Sequence, residues 1–385
     1  MHSFFSRKQK DRLNLIIDIQ SSVVRGAMIL SSKGGLPKVV WTTSTDIPYR
    51  AGATASHMID TTVKAIEHTA LLAHTFIKDK KSHVSLPEKI TRVHCILSSP
   101  WIISQAKTVG YNFDKETRVN KAHVNHIVKT ERESMVKKGS LGMVGIEEKI
   151  FDVRLNEYSI PKWQGASCVS FEVSFAICLA SKNVIQRFIK GAKMSGVGIS
   201  SIDFHSSLLL QHIGLCSALT FNDPYILAHV HGELTDIVVT SGQSCILFGS
   251  HPTGVRSIVR QVANSMNITE AAADSALTLY EHNQLDPLHG SNDTERIKTV
   301  LDKWNNDCKS VTDKIPDRYK PTKAIVSARV HEKLFKNSFI AAHPELKTDV
   351  LPNEEIFDLV EFGQDCEKLR LTILYVVAIH NLEAL

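Results

Sequence analysis

Apolar and polar positions along this chain fall into blocks that read as alternating strands and helices. Residues 13–30, LNLIIDIQSSVVRGAMIL, are one apolar run broken at Ser21-Ser22, which is the pattern of a β-hairpin. A third strand is expected at Lys38–Thr42, and a helix over 56–78 with Met58, Val63, Ile66, Leu71 and Phe76 at helical spacing. Residues 79–90 are polar and read as a loop; a strand with Val93, Cys95 and Leu97 follows. Two strand-like patches surround Thr108–Tyr111. A helix over 120–137 turns Val124, Ile127, Val128 and Met135 to one side. The glycine-bearing stretch 138–146 reads as a loop, 147–158 as a strand and Pro161–Gly165 as a turn. Residues 168–180 alternate as a strand, and a helix of 182–195 is closed by Gly196. Ile199–Phe204 is a further strand.

The second part of the chain repeats this theme. A helix over 206–219 leads to strands at Tyr225–Val230, Thr235–Thr240 and Cys245–Phe248, then helices over 254–266 and 268–281. Residues 284–294 read as a loop. The helix over 294–312 has the clearest period, with Ile297, Val300, Leu301, Trp304, Cys308 and Val311 on one face. After a Pro-bounded loop come a strand at Lys323–Ala328, a helix or turn at 331–337 and a helical Leu369–Leu385. Two regions, near residues 13 and 225, thus open with hairpins followed by helices. The parallel is one of pattern rather than of residue identity.

Composition narrows the picture without naming a function. The 385 residues are 43% apolar and 22% charged, which excludes wholesale disorder and calls for more than one subdomain. Forty-five Lys and Arg against 40 Asp and Glu is too small an excess to imply nucleic-acid binding. The excess is local: Arg7, Lys8, Lys10 and Arg12 against Asp11 leave a net +3 in residues 1–12, where Phe4 and Phe5 add an apolar element that could meet an anionic membrane; a solvated tail is the plainer reading. No apolar run reaches the roughly 18 residues of a membrane span, and no secretory signal is present. Cys95, Cys168, Cys178, Cys216, Cys245, Cys308 and Cys366 are scattered and unpaired in pattern, as suits free thiols in a reducing cytoplasm.

Candidate chemistry gathers at the two hairpin turns. A strand ending in Asp18 and leading through Gln20 into Ser21 and Ser22 can cradle phosphate, with backbone N–H groups and hydroxyls as donors and Asp18 holding a metal through water. A hairpin turn with a satisfied Asp reads equally well. At the second turn, HVHGELTD, Gly232 permits a tight bend while Thr235 and Asp236 could meet a phosphate or its metal; a plain hairpin is again the alternative. His229, His231 and His251 form a weak metal candidate, because eighteen histidines produce an H-x-H by chance. Ser98-Ser99 lies at a strand end but lacks a G-x-S-x-G elbow, and hydrolase readings are rejected.

Taken in order, these segments resemble the actin-like ATPase superfamily in its FtsA/PilM branch. LIIDIQSSVVRGAMI is similar to that branch's first phosphate loop, D-I-G-[ST]-S-x-[VI]-[KR], and HVHGELTD to its second, D-I-G-G-G-T-T-D. SHPTGVRSIVRQVANSMNITEAAADSAL resembles the segment that follows, and the stretch from VHCILSSPWIISQ to FHSSLLL resembles the branch's small inserted α/β domain. The resemblance implies an α/β, actin-like (ribonuclease H-like) two-domain fold with a small inserted domain. Its parts would be a basic tail (1–12), a first domain (13–88, resumed at 201–222), an insert (89–200), a second domain (223–340) and a C-terminal segment (341–385) packing on the first.

The resemblance also implies a nucleotide site at Asp18, Gln20, Ser21, Ser22, Gly232, Thr235, Asp236 and Gly254, and here the sequence departs from the pattern. Gln20 stands at the first loop's Gly. His229 replaces the second loop's leading Asp, and His231 and Glu233 replace two of its glycines. The Gly-Gly before the next helix is Gly254-Val255, and the adenosine-side Gly-Gly, expected in SARVHEK, has no Gly. Side chains at such positions block close phosphate approach, and Glu233 would repel a polyphosphate. The expectation is therefore a pseudo-ATPase with no bound cofactor, a cytoplasmic scaffold at the inner membrane face in cell division. Its partners would be divisome or pilus proteins, with self-assembly and peripheral membrane contact also implied. The alternatives are a type IV pilus platform protein, or a protein that binds ATP with magnesium and assembles in response. The branch's linker and C-terminal amphipathic helix, its membrane anchor, have no counterpart in the final residues, which read as a core helix.

Overall fold

The computed structural model describes residues 11–384 apart from 33, 51, 80–85, 88, 139–141, 194–198, 220–222, 286, 353 and 364–365. The basic tail and the Gly196 cap lie outside the described residues, save for residues 11 and 12.

The chain opens with β1 (Arg12–Ile19), β2 (Val23–Ser31) and β3 (Lys38–Asp46), then α1 (Ala55–Lys78) and β4 (Ile90–Leu97). Next come β5 (Ile103–Arg118), α2 (Lys121–Lys138), β6 (Met143–Leu155), β7 (Tyr158–Ser159) and β8 (Ser167–Ser181). They are followed by α3 (Lys182–Lys193), β9 (Ile199–Ser206) and α4 (Ser207–Ala218). The remainder runs β10 (Tyr225–Val230), β11 (Thr235–Ser241), β12 (Ser244–His251), α5 (Val255–Met266), α6 (Glu270–Glu281) and α7 (Pro287–Thr312). It ends with β13 (Lys323–Ala328), α8 (Glu332–Ala342), β14 (Lys347–Val350), α9 (Glu354–Phe357), β15 (Glu361–Phe362) and α10 (Arg370–Ala384).

Two sheets share one topology. The first runs β15-β3-β2-β1-β4-β9 and the second β12-β11-β10-β13-β14. In each, a hairpin (β1–β2, β10–β11) gains an antiparallel third strand on one side and two parallel strands on the other. The repeat hinted at by the hydrophobic pattern is therefore a repeat of strand order, with β15 as an addition to the first copy. β1 is buried at every position after Arg12, because it lies inside a sheet covered on both faces, and this explains its unbroken apolar run. A third sheet, β5-β8-β6-β7, carries α2 on its own core of Val124, Ile127, Val128, Phe171, Val173 and Phe175.

The structure moves several expected boundaries. The resemblance implies an insert over residues 89–200, yet β4 pairs with β1 and α3 packs on α1, so the separate sheet spans only β5 to β8. The segment 341–385 is divided: β14 joins β13 in the second sheet, while β15 and α10 join the first sheet and α4. The loop expected at 138–146 becomes strand from Met143, and that expected at 284–294 becomes helix from Pro287. The two patches around Thr108–Tyr111 are one strand with an irregularity between Asn112 and Thr117. Leu71 is 53% exposed rather than core-facing. The face of α1 that packs inward is Thr62, Ala65, Ile66, Thr69, Ala70 and Ala73, mostly small residues, of which Thr69 approaches β2 closely over Gly26. Among the described residues, no helix is long and apolar enough to cross a membrane.

Candidate functional site

The duplicated topology brings the β1–β2 turn and the β10–β11 turn face to face, so the two candidate phosphate loops of the sequence do meet. Asp18, next to last in β1, has its side chain buried, opposite Arg25 in the hairpin register. Gln20 Nε2 donates to Asp18 Oδ2 at 2.9 Å, and Arg25 Nη1 lies 3.4 Å from the same oxygen. Burial pushes the Asp18 carboxyl up to about 6, against the opposing pull of Arg25, Gln20 and His231. Gln20, at the position of the family's Gly, thus fills the turn and holds Asp18 itself.

The second turn is bound to the first by side chains. Glu233 donates its backbone N–H to Ser21 Oγ at 3.0 Å, and Ser21 Oγ lies 3.1 Å from His231 Nδ1. His231 Nε2 lies 3.1 Å from Asp236 Oδ2, which also accepts the Ser99 N–H at 3.0 Å. A proton on His231 Nε2 satisfies all of these contacts: Asp236 accepts it, and Nδ1 is left to accept the Ser21 hydroxyl. Burial acts to raise the Asp236 carboxyl, but His231 and the Ser99 N–H outweigh it, and the net shift is downward. The polar chain Ser21–His231–Asp236–Ser99 therefore joins the first sheet to the second at the two turns.

The turns also touch directly. A Cβ on residue 232 would stand 2.0 Å from Ser22 Oγ, so the close approach of Ser22 requires glycine at 232. Gly254 is packed in the same way, 2.1 Å from the His231 carbonyl oxygen to its would-be Cβ. The first amides of α5 are engaged by the turn: Val255 N–H donates to His231 O at 3.0 Å and Arg256 N–H to Gly232 O at 2.8 Å. Thr235 is a packing hydroxyl, accepting from Trp304 Nε1 at 3.0 Å and donating to Thr253 O at 2.7 Å. Among the described residues two cavities beside the turns, one lined by Gln20, Arg25, His229, Ser327 and Arg370 and one by Ser99, Ser206 and Asp236, measure no more than about 190 Å³ each. That is below the roughly 300–1,000 Å³ of ordinary small-molecule pockets. These residues do not fit a magnesium-bound triphosphate lying between the turns.

A clasp on the outer side went unread in the sequence. Arg260 stacks on Tyr49, 3.7 Å from the ring centroid, and pairs with Glu233. Arg256 donates to the Ile47 carbonyl at 2.8 Å and lies 3.4 Å from Asp46. Glu233, read as repulsive to phosphate, has a cationic partner instead. Arg25 had a usable signal: a hairpin turning at Ser21-Ser22 sets residue 25 opposite residue 18. The contacts of the α5 arginines with Asp46, Ile47 and Tyr49 had none, since those partners lie more than 200 residues away.

The histidine metal candidate does not assemble. His229 stacks on His231 with centroids 5.5 Å apart, and burial, with His231 beside it, pushes its ring down to about 3. His251 instead contacts Cys308 Sγ through Nε2 at 3.3 Å. Among the described residues no group of three or more His, Cys, Asp and Glu side chains is placed to hold a metal ion.

No protein-family model matches the sequence, and no curated protein matches it. Solved structures match over nearly the whole chain, and the likeness shows its fold: this is an actin-like ATPase fold. A PilM–PilN type IV pilus biogenesis complex aligns with a TM-score of 0.63 at 12% identity, covering 95% of this chain and 96% of that one. The ethanolamine utilization protein EutJ from Carboxydothermus hydrogenoformans (TM-score 0.46, 10% identity, 97% and 91% covered) is also similar. So is MreB 5 of Spiroplasma citri bound to AMPPNP (TM-score 0.46, 10% identity, 98% and 96% covered).

Proposed function

We propose that this protein is a non-catalytic actin-fold scaffold, in which the nucleotide cleft has become a fixed joint between the two sheets. The observation that carries this is the direct contact of the two turns, Ser22 against Gly232, reinforced by the Ser21–His231–Asp236 chain. With the cleft closed by the protein's own groups, nucleotide has no task in opening or closing it. The remaining task of such a fold is to hold other proteins. The whole-length likeness to PilM in complex with PilN supports a pilus-type assembly platform over the divisome role that the sequence suggested. Attachment at the inner membrane face would then come from a partner or from the basic residues 1–12.

Two experiments test this reading. Light scattering and sedimentation of the purified chain should be unchanged by ATP and magnesium; nucleotide-dependent assembly would overturn the non-catalytic reading. Deletion of the gene should remove surface pili and leave division normal; filamentous cells with normal pili would return the protein to division.

A further inference from the structure

Away from the two turns, a cavity of about 530 Å³ opens where the third sheet meets the first. Its polar wall is a row of four side chains from four elements: Glu147 of β6, His205 of β9, His94 of β4 and Glu383 of α10. His205 Nδ1 lies 3.1 Å from Glu147 Oε1, His205 Nε2 lies 3.2 Å from His94 Nδ1, and His94 Nε2 lies 3.4 Å from Glu383 Oε1. Glu147 Oε2 also accepts the Ser206 N–H at 2.8 Å, which ties β6 to the end of β9.

Counting protons decides what this row can do. Each of the three contacts is attractive only with a proton between its two atoms. Both ends are carboxylates, which accept and do not donate when ionised. Two neutral imidazoles bring two protons, so one contact is left with lone pair facing lone pair or facing carboxylate. A third proton, making one ring an imidazolium, satisfies all three. Glu383 is held below the usual carboxylate range by His94 first, then by Arg92 and by Asn14, whose Nδ2 donates to both of its oxygens at 3.2 and 3.1 Å. Arg92 of β4 lies 3.9 Å from both Glu383 and Asp203 of β9 and balances only part of the row's negative charge. The facing residues of α3, Ile185 and Ile189, carry no charge.

We propose that the row Glu147–His205–His94–Glu383 is a proton-operated latch, which fixes the third sheet and α10 against the first sheet when it takes up one proton and loosens when it loses it. The sign follows from linkage: a contact that binds an extra proton when closed is stabilised as pH falls and weakened as pH rises.

The test is amide hydrogen exchange on the purified full chain at about pH 5.5 and about pH 8.5, either side of the ordinary imidazole range, corrected for intrinsic exchange. Protection of Met143–Leu155 and Ile199–Ser206 should fall severalfold across that range, by at most about tenfold per pH unit for a single proton. His205→Gln should leave protection independent of pH. Glu147→Gln, which keeps the shape of the end group and removes its charge, should do the same if His205→Gln fails to fold. Ring ¹⁵N shifts of His94 and His205 should move together with the protection. Wild-type protection that does not change with pH, or an equal change in both variants, overturns the latch.

Discussion

Ser22 occupies the space directly in front of Gly232: a Cβ built on residue 232 would stand 2.0 Å from the Ser22 hydroxyl oxygen and 2.1 Å from its Cβ. The two turns that face each other across an actin-type cleft are thus in van der Waals contact, and small residues on both sides permit it. Gly232→Ala should cost about 1–3 kcal/mol, as overpacking of a tight site does. Ser22→Gly on the same chain should restore most of that loss. Urea denaturation of the two single variants and the double variant measures the coupling; purely additive effects would mean that the turns do not touch.

Asp18 and Arg25 make a prediction about pH. Asp18 titrates at about 6 in the folded chain against an ordinary value of 3.8. The folded state therefore binds this proton more tightly than the unfolded state. The associated stabilisation is fully present below about pH 4 and is lost as pH rises through about 6, roughly 3 kcal/mol in all. The double variant Asp18→Asn with Arg25→Met removes the carboxylate without leaving the buried guanidinium unpaired. Denaturation across this pH range should show the wild type losing stability relative to the double variant as pH rises. Parallel curves would place the Asp18 proton elsewhere.

His231 is the link between the sheets. Replacing it with Ala leaves the buried Asp236 carboxylate with only the Ser99 N–H, and should cost about 3–5 kcal/mol near neutral pH. Because the Asp236 carboxyl is lowered in the folded chain, the stability it supplies is present above its ordinary value and is lost as pH falls through the lowered one. The cost of His231→Ala should accordingly shrink in acid. A cost below 1 kcal/mol at neutral pH would remove the link from the account.

The outer clasp is weaker and can be measured separately. Arg260→Ala removes both the Tyr49 stacking and the Glu233 pair, for an expected loss of about 1–2 kcal/mol. Raised salt should reduce this cost only in part, since the stacking survives screening better than an exposed ion pair. Complete loss of the effect in salt would assign it to the ion pair alone.

What could be read from the sequence was the set of features carried by local periodicity. The β1–β2 and β10–β11 hairpins, the face of α7 from Ile297 to Val311 and the strand Lys323–Ala328 all appear where their patterns place them. The fold class followed from the resemblance that their order, with the loop motifs, bears to the actin-like superfamily. Elements held by tertiary contact were missed. β14 and β15 are four and two residues long, and each exists only because β13 or β3 supplies its hydrogen bonds. At the site, Asp18, Ser21, Ser22, Gly232 and Asp236 do come together, yet their spacing could not reveal that they bond to one another. Gln20 and His231 looked like losses relative to the family; in three dimensions they are the groups that fill the space.

In the proposed scaffold the protein's own side chains close the cleft, and calorimetric titration of the full chain with ATP and magnesium is the decisive measurement. No binding up to millimolar nucleotide is the predicted result. The same titration of a Ser22→Gly/His231→Gly variant shows whether those side chains are what excludes it. Tight magnesium-dependent binding to the wild type, abolished by Asp18→Asn, would contradict the account.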